Sequence, residues 1–236
     1  AGLSGMGTTL EYLYYTEYGR RYQPDLVILM FAWNDFADNS PELHYDALRP
    51  FHRLDDGELV LDTSFNTHPG YARVKQVEFF RQNFYSYQFV RQVWQQRQIQ
   101  NNRVEISASP GRLQHQMDAI RVTERVLLTL RDAVETDGSD FLFIIGTVPG
   151  DDWLPAFEVL YPEYDDLTVD VAMMAFADEH DIPALNLIPA QKVYQVETEL
   201  ETRGCLENGF TGHWNRAGHR IAAEAIQRFI TETGTG

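Results

Sequence analysis

The stretch P-D-L-V-I-L-M-F-A-W-N-D, residues 24–35, decides the fold class of this chain. After Asp25 it is continuously apolar and in part β-branched, which is typical of a parallel strand buried on both faces. The apolar run stops at Asn34 and Asp35, so two polar side chains follow the carboxyl end of the strand. Ligands of parallel sheets bind at such ends, and this turn is therefore a favoured position for a functional site.

Helical and strand patterns alternate along the rest of the chain. Apolar periodicity and capping residues predict helices from Thr8 or Thr9 to Tyr18 and at 71–100, 113–136, 167–180 and 216–231, the last capped by Asn215. Apolar runs predict strands at 141–148 and 182–188, and residues 49–62 predict a hairpin that turns at Asp56-Gly57, within an insertion at about 45–68. This alternation predicts an α/β fold with a parallel sheet and helices on both faces, as one domain over 1–236. The loop after Val148 is a second favoured site position.

Composition excludes several classes of partner. The formal net charge of −16 argues against nucleic acid or an anionic membrane surface. No apolar run approaches the roughly 18 residues that span a bilayer, and no signal-peptide pattern is visible, as in a mature secreted or periplasmic protein. The sequence thus predicts a soluble protein and leaves its compartment open. Cys205 is the single cysteine, which excludes an internal disulfide and a multi-cysteine metal cluster.

Three segments occur in an order that is typical of one enzyme family. They are G-L-S-G-M-G-T-T at 2–9, the stretch at 24–35, and G-H-W-N-R-A-G-H at 212–219. Together they resemble the SGNH (GDSL-like) hydrolases. The resemblance implies a flavodoxin-like three-layer α/β/α fold with a parallel sheet. It also implies a serine that attacks a carboxylic ester, in chemistry that requires neither a cofactor nor a metal.

The resemblance also implies roles for three residues of this chain. Gly5 matches the glycine whose backbone N–H binds the oxyanion, Asn34 matches the oxyanion asparagine, and His213 matches the general base. Of the paired histidines, His213 is expected in the loop before the last helix, free to point at the strand ends. His219 is expected inside the first turns of that helix, in a packing role.

The acid of the usual triad is not visible. The family places an aspartate two or three residues before the catalytic histidine, where this chain has Thr211 and Phe210. Glu207, Asp151 and Asp152 are the remaining candidates, and a dyad oriented by a backbone carbonyl is the alternative.

The expected nucleophile is also missing, because no Gly-Asp-Ser segment occurs in the 236 residues. Ser4 lies in the oxyanion-glycine segment, where a structural role is expected. We therefore expect the first strands of the fold to be missing and a complementing N-terminal fragment to carry the serine. Without that fragment, the strand at 25–33 would have an open edge.

These observations favour a serine hydrolase of small-molecule or carbohydrate esters, including deacetylation of a carbohydrate. Two alternatives stay open. One is a degenerate SGNH-like module that binds carbohydrate without turnover, and the other is an O-acyltransferase in which an alcohol resolves the acyl-enzyme.

Overall fold

The computed structural model describes residues 6–44, 48–71, 111–206 and 209–234, with the backbone alone for 204–206 and 209–212. The chain divides into two compact units. The first unit comprises Ala1–Tyr14 and Asp35–Leu128, and the second comprises Tyr15–Asn34 and Thr129–Gly236. Several sequence-based predictions fall on residues outside the described ranges. They concern Gly5, Ser4 and nearly all of the helix predicted at 71–100. The prediction of one domain over 1–236 stays a prediction.

Helices and strands alternate through the described residues. The α-helices are α1 (Thr8–Glu17), α2 (Asp35–Asp38), α3 (Arg112–Thr136), α4 (Leu154–Leu160), α5 (Val169–Glu179), α6 (Ile188–Thr198) and α7 (Arg216–Thr233). The strands are β1 (Leu26–Phe31), β2 (Phe51–Asp55), β3 (Glu58–Asp62), β4 (Asp140–Ile145), β5 (Ala184–Asn186), β6 (Arg203–Leu206) and β7 (Gly209–Trp214). Short 3-10 helices span Gly19–Tyr22, Ser64–Thr67 and Asp151–Trp153. No helix in the described ranges is long and apolar enough to cross a membrane.

The second unit is built on a parallel sheet with the strand order β1-β4-β5. Leu26 pairs with Asp140 and Phe31 with Ile145, so β1 and β4 run side by side over their whole length. The shorter β5 joins the other edge of β4, beginning with Ala184 opposite Phe143. The mixed α/β class and the parallel sheet predicted from the sequence are confirmed.

Strand β4 forms the centre of the core. Its residues from Phe141 to Ile145 are at most 2% exposed, so both faces of this strand are covered. On one face, Leu142 and Ile144 form a buried cluster with Leu187 and Ala222, against which the apolar stripe of α7 packs. Burial of side chains of this size stabilises a fold by about 1.5–3 kcal/mol each.

The expectation that the strand at 25–33 is buried on both faces is wrong for β1. Leu29 and Phe31 are buried, whereas Ile28 is 42% and Met30 is 39% exposed. Successive side chains of a strand point to opposite faces, so Ile28 and Met30 share one face, the one that carries Leu142 and Ile144 on β4. Helix α7 covers that face over β4 but leaves it partly open over β1.

The start of α7 is held by Asn215, as predicted. Its side-chain oxygen accepts hydrogen bonds from the backbone N–H groups of Ala217 (2.8 Å) and Gly218 (3.1 Å), which satisfies two donors that a helix start leaves unpaired. Its amide donates to the carbonyl of Glu201 at 2.6 Å. The helix ends at Gly234, whose φ of 69° is the left-handed conformation of a C-cap.

In the first unit, β2 and β3 form the predicted hairpin. Phe51 pairs with Asp62 and Asp55 with Glu58. The turn between them is Asp56-Gly57, where both residues have positive φ (47° and 83°), as a two-residue primed turn requires.

The predicted capping of α1 by Thr8 or Thr9 is wrong. The Gly7 carbonyl accepts the first backbone bonds of the helix, from Leu10 and Glu11. Thr9 N–H donates instead to the side-chain oxygen of Asn39, 30 residues away, at 2.8 Å. A Cβ on Gly7 would lie 2.8 Å from the Cβ of Asp38, so glycine permits the close approach on which this distant cap depends.

The sequence patterns located five elements to within a few residues. They are the strands predicted at 141–148 (β4) and 182–188 (β5) and the helices predicted at 113–136 (α3), 167–180 (α5) and 216–231 (α7). The sequence patterns did not indicate α4, α6 or the β6–β7 hairpin. These elements are short, and helix propensity alone gives little signal over one to three turns.

Replacing Gly218 by alanine tests the packing of α7. A Cβ at this position would collide with the Thr202 carbonyl oxygen and lie 3.0 Å from the Cβ of Trp214. We expect Gly218→Ala to lower the free energy of unfolding by about 2–3 kcal/mol, measured by urea denaturation. The matched control Ala217→Gly should cost about 1 kcal/mol. Equal stability of Gly218→Ala and the wild type would contradict this packing.

Candidate functional site

Asn34 lies at the carboxyl edge of the parallel sheet, in a turn tied to the loop after β4. The carbonyl of Phe31 accepts hydrogen bonds from the backbone N–H groups of Gly146 (3.0 Å) and Thr147 (3.4 Å). The Thr147 hydroxyl accepts one from the backbone N–H of Trp33 at 3.0 Å. The loops after β1 and β4, which the sequence singled out separately, are therefore joined.

His213 lies in a strand and not in a loop, which corrects the sequence-based expectation. It belongs to β7, which pairs antiparallel with β6: Arg203 lies opposite Trp214, Cys205 opposite Phe210 and Leu206 opposite Gly209. The register shifts between Arg203 and Cys205, so His213 lies in the irregular part of the hairpin, next to the paired Trp214. Its side chain is exposed and has no hydrogen-bond partner within the described part of the chain.

Trp214 brings β7 to the edge of the sheet that carries Asn34. A Cβ on Gly146 would lie 3.4 Å from Cζ2 of Trp214, so the indole contacts the loop after β4. The ring of His219 in turn stands edge-on to Trp214, with 5.7 Å between ring centroids. The packing expected for His219 is thus present, and the residue after His213 contacts the loop that is bonded to the Asn34 turn.

Within the part of the chain that the structure describes, no carboxylate is hydrogen-bonded to His213. Asp151 and Asp152 are exposed in their 3-10 helix, and neither is hydrogen-bonded to the His213 ring. Glu207 and Gly5 lie outside the described residues. The structure therefore brings Asn34 and His213 into the same unit, without a described acid for the histidine.

A second polar group, which the sequence analysis missed, lies in the first unit. The guanidinium of Arg49 donates to Nε2 of His44 at 3.0 Å, and the same nitrogen lies 3.3 Å from a carboxylate oxygen of Asp38. His44 and Asp38 are both buried. Their spacing in the chain follows no motif, so only the fold reveals the cluster.

Glu11, on the first turns of α1, is the strongly perturbed carboxyl of this unit. Burial raises its pKa, and the negative charge of Asp38 raises it further, to about 7. Its Oε2 atom is buried and has no hydrogen-bond partner within the described ranges. A carboxyl of this kind exchanges its proton near neutral pH, as general acids and bases do.

His52 is another buried ionisable group of the first unit. Its Nδ1 lies 3.3 Å from the hydroxyl of Thr9, and its ring tilts against Tyr12 at 5.6 Å between centroids. Burial lowers the pKa of this imidazole, which favours the neutral form. Within the described residues, no group of three or more His, Cys, Asp or Glu side chains is arranged to hold a metal ion.

No family model matches this chain, and neither a curated protein nor a solved structure is significantly similar to it.

The pKa of Glu11 predicts a specific pH dependence of stability. The folded state keeps this proton up to about pH 7, whereas an unfolded glutamate releases it near 4.5. The favourable contribution of Glu11 to the free energy of unfolding is thus fully present below pH 4.5 and is lost as the pH rises to 7. In the wild type we expect the free energy of unfolding to fall by up to about 3 kcal/mol over this pH range because of Glu11, and we expect that fall to be absent in Glu11→Gln.

Urea denaturation of wild type and Glu11→Gln from pH 4.5 to pH 8 measures this difference. The matched control is Glu17→Gln, on the exposed end of the same helix, which should track the wild type at every pH. A constant offset between Glu11→Gln and wild type across the range would show that Glu11 ionises normally.

Proposed function

We propose that this chain carries the oxyanion-binding and general-base residues of a serine esterase of the SGNH type. The observation that carries the proposal is the contact of Trp214, next to His213, with the loop bonded to the Asn34 turn. Asparagine and histidine at the carboxyl edge of a parallel sheet suit acyl transfer, because active sites of such sheets form there. The matching fold proposal is a flavodoxin-like three-layer α/β/α domain.

The chemistry assigns a separate task to each residue. His213 accepts the proton of the serine hydroxyl as its oxygen attacks the ester carbonyl, and later returns that proton to the leaving alcohol. The amide of Asn34 and the backbone N–H of Gly5 donate to the oxyanion of the tetrahedral intermediate. Water then hydrolyses the acyl-serine with His213 again as the base.

The proposed nucleophile is a serine in a complementing N-terminal segment. Two observations support this part of the proposal. The 236-residue sequence contains no Gly-Asp-Ser. Among the described strands, β1 lies at the edge of its sheet, and Ile28 and Met30 are partly exposed. A further parallel strand beside β1 would pair with its backbone, set its own side chains beside Ile28 and Met30, and place its carboxyl end next to Asn34.

The proposed substrate is an uncharged ester of a small molecule or carbohydrate. The net charge of −16 disfavours the approach of anionic esters and of nucleic acids. Acyl transfer by this route needs no cofactor.

Substitution of the paired histidines tests the base. In the protein with its native flanking sequence, His213→Ala should lower kcat/KM for p-nitrophenyl acetate by about 10²–10⁴-fold. His219→Ala is the matched control, since it removes an exposed ring six residues away and should retain activity within a fewfold. Equal loss in both variants, with folding intact by circular dichroism, would refute the assignment of the base.

Asn34→Ala should lower kcat by about 10²–10³-fold with little change in KM, because an oxyanion donor acts on the transition state. Asn66→Ala, at an exposed position in the 3-10 helix of the first unit, is the matched control.

Labelling with a serine-directed fluorophosphonate, followed by mass spectrometry, identifies the nucleophile. We expect the label on a serine outside residues 1–236, and a label on Ser4 would overturn the complementation.

A binding module without turnover is the second candidate, and one observation favours it. His213 has no carboxylate partner in the described part of the chain, and loss of that partner weakens a catalytic histidine. Absence of esterase activity in a protein that contains a Gly-Asp-Ser segment would favour this candidate.

A further inference from the structure

A cavity of about 460 Å³ lies within the first unit, between one face of α3, strand β2 and the segment after α2. Its volume falls in the range of roughly 300–1,000 Å³ that small-molecule sites occupy. His115, Asp118, Ala119 and Val122 of α3 recur at three- and four-residue spacing and therefore form one wall. None of its lining residues belongs to the proposed esterase site.

The buried part of the lining is electrically neutral. His52, Asn39 and Ser40 are at most 4% exposed, and Ala119 and Val122 add apolar surface beside them. Nδ1 of His52 lies 3.3 Å from the Thr9 hydroxyl. Its Nε2 has no hydrogen-bond partner within the described residues. A neutral floor with both apolar and hydrogen-bonding groups disfavours a charged ligand, whose desolvation it would not repay.

The rim of the cavity is rich in hydrogen-bond acceptors. Glu42 accepts from Ser40 at 3.1 Å, and Asp118 accepts from Gln114 at 2.9 Å, which leaves each carboxylate further lone pairs. The one guanidinium of the lining, on Arg53, is paired with Asp62 at 2.8 Å. An anion would therefore meet two carboxylates and a cation that is already neutralised.

His115 supplies a further group without a partner. Its Nδ1 is buried and unbonded within the described ranges. Because nothing there holds that nitrogen, the ring is free to take the tautomer that presents either a donor or an acceptor to a ligand at Nε2.

We propose that this cavity binds a neutral polyhydroxylated ligand of the size of a sugar. Hydroxyl groups donate to the carboxylates of Glu42 and Asp118 and accept from the Gln114 amide, while the ring carbons pack on Ala119 and Val122. The imidazoles of His52 and His115 serve as donors or acceptors to the remaining hydroxyls. The site stands independently of ester hydrolysis, since it uses neither Asn34 nor His213.

Isothermal titration with three neutral probes, methyl α-glucoside, methyl β-galactoside and N-acetylglucosamine, tests the proposal, with glucuronate as the charged counterpart. We expect saturable millimolar binding of at least one neutral probe and weaker binding of glucuronate, whose carboxylate would meet those of Glu42 and Asp118. Gln114→Ala and His115→Ala should each weaken binding roughly tenfold, the value of one lost hydrogen bond. Gln227→Ala, at an exposed position on α7, should leave binding unchanged.

Three outcomes would overturn the proposal. They are the absence of saturable binding for every neutral probe, tighter binding of glucuronate, and undiminished affinity in both cavity variants. Circular dichroism of each variant establishes that the fold is retained, which is expected because Gln114 is exposed and His115 is only partly buried. Esterase activity is not part of the readout, so failure here leaves the proposed function untouched.

Discussion

The parallel pairing of β1 with β4 is the constraint on which the second unit depends. Six consecutive residue pairs, from Leu26 with Asp140 to Phe31 with Ile145, align the carboxyl ends of the two strands. The Phe31 carbonyl then receives two backbone N–H groups from the loop after β4. A shift of one residue in this register would turn Leu29 and Phe31 away from the core and separate the loops that hold Asn34.

The first unit is organised differently, around polar side chains in its interior. The Asn39 amide donates to the Thr123 hydroxyl at 2.9 Å and accepts from the Thr9 N–H at 2.8 Å. It thereby connects the start of α1 to α3 through two buried hydrogen bonds. Glu11 contrasts with this arrangement, because burial beside Asp38 leaves its carboxyl without a bond at Oε2. Perturbed carboxyls cluster at functional sites, and structural networks of charges also produce them.

The sequence predicted the elements whose signal is local and long. Strand β4 is a continuous apolar run, and α3 and α7 carry several turns of helical periodicity. It failed where the decisive partner is distant, as for α1, whose cap comes from Asn39 and not from its own threonines. The cluster of Asp38, His44 and Arg49 has no spacing motif, so no reading of one segment could have found it. The placement of Asn34 after β1 was local and therefore predictable, whereas the strand around His213 depends on pairing with β6.

The strand geometry of β7 gives His213 a physical setting that a loop would not. The register between β6 and β7 shifts between Arg203 and Cys205, so regular strand alternation does not set the direction of the His213 side chain. The nearness of Trp214 to Gly146 places the adjoining backbone beside the loop after β4. Within the described residues, no carboxylate is hydrogen-bonded to His213, so its position depends on the backbone of the β6–β7 hairpin. A base positioned in this way retains its location but lacks a negative charge to stabilise the imidazolium. Under the proposed function, such a base would work with a lower rate than a complete triad, and the oxyanion donors would carry a larger share of the catalysis.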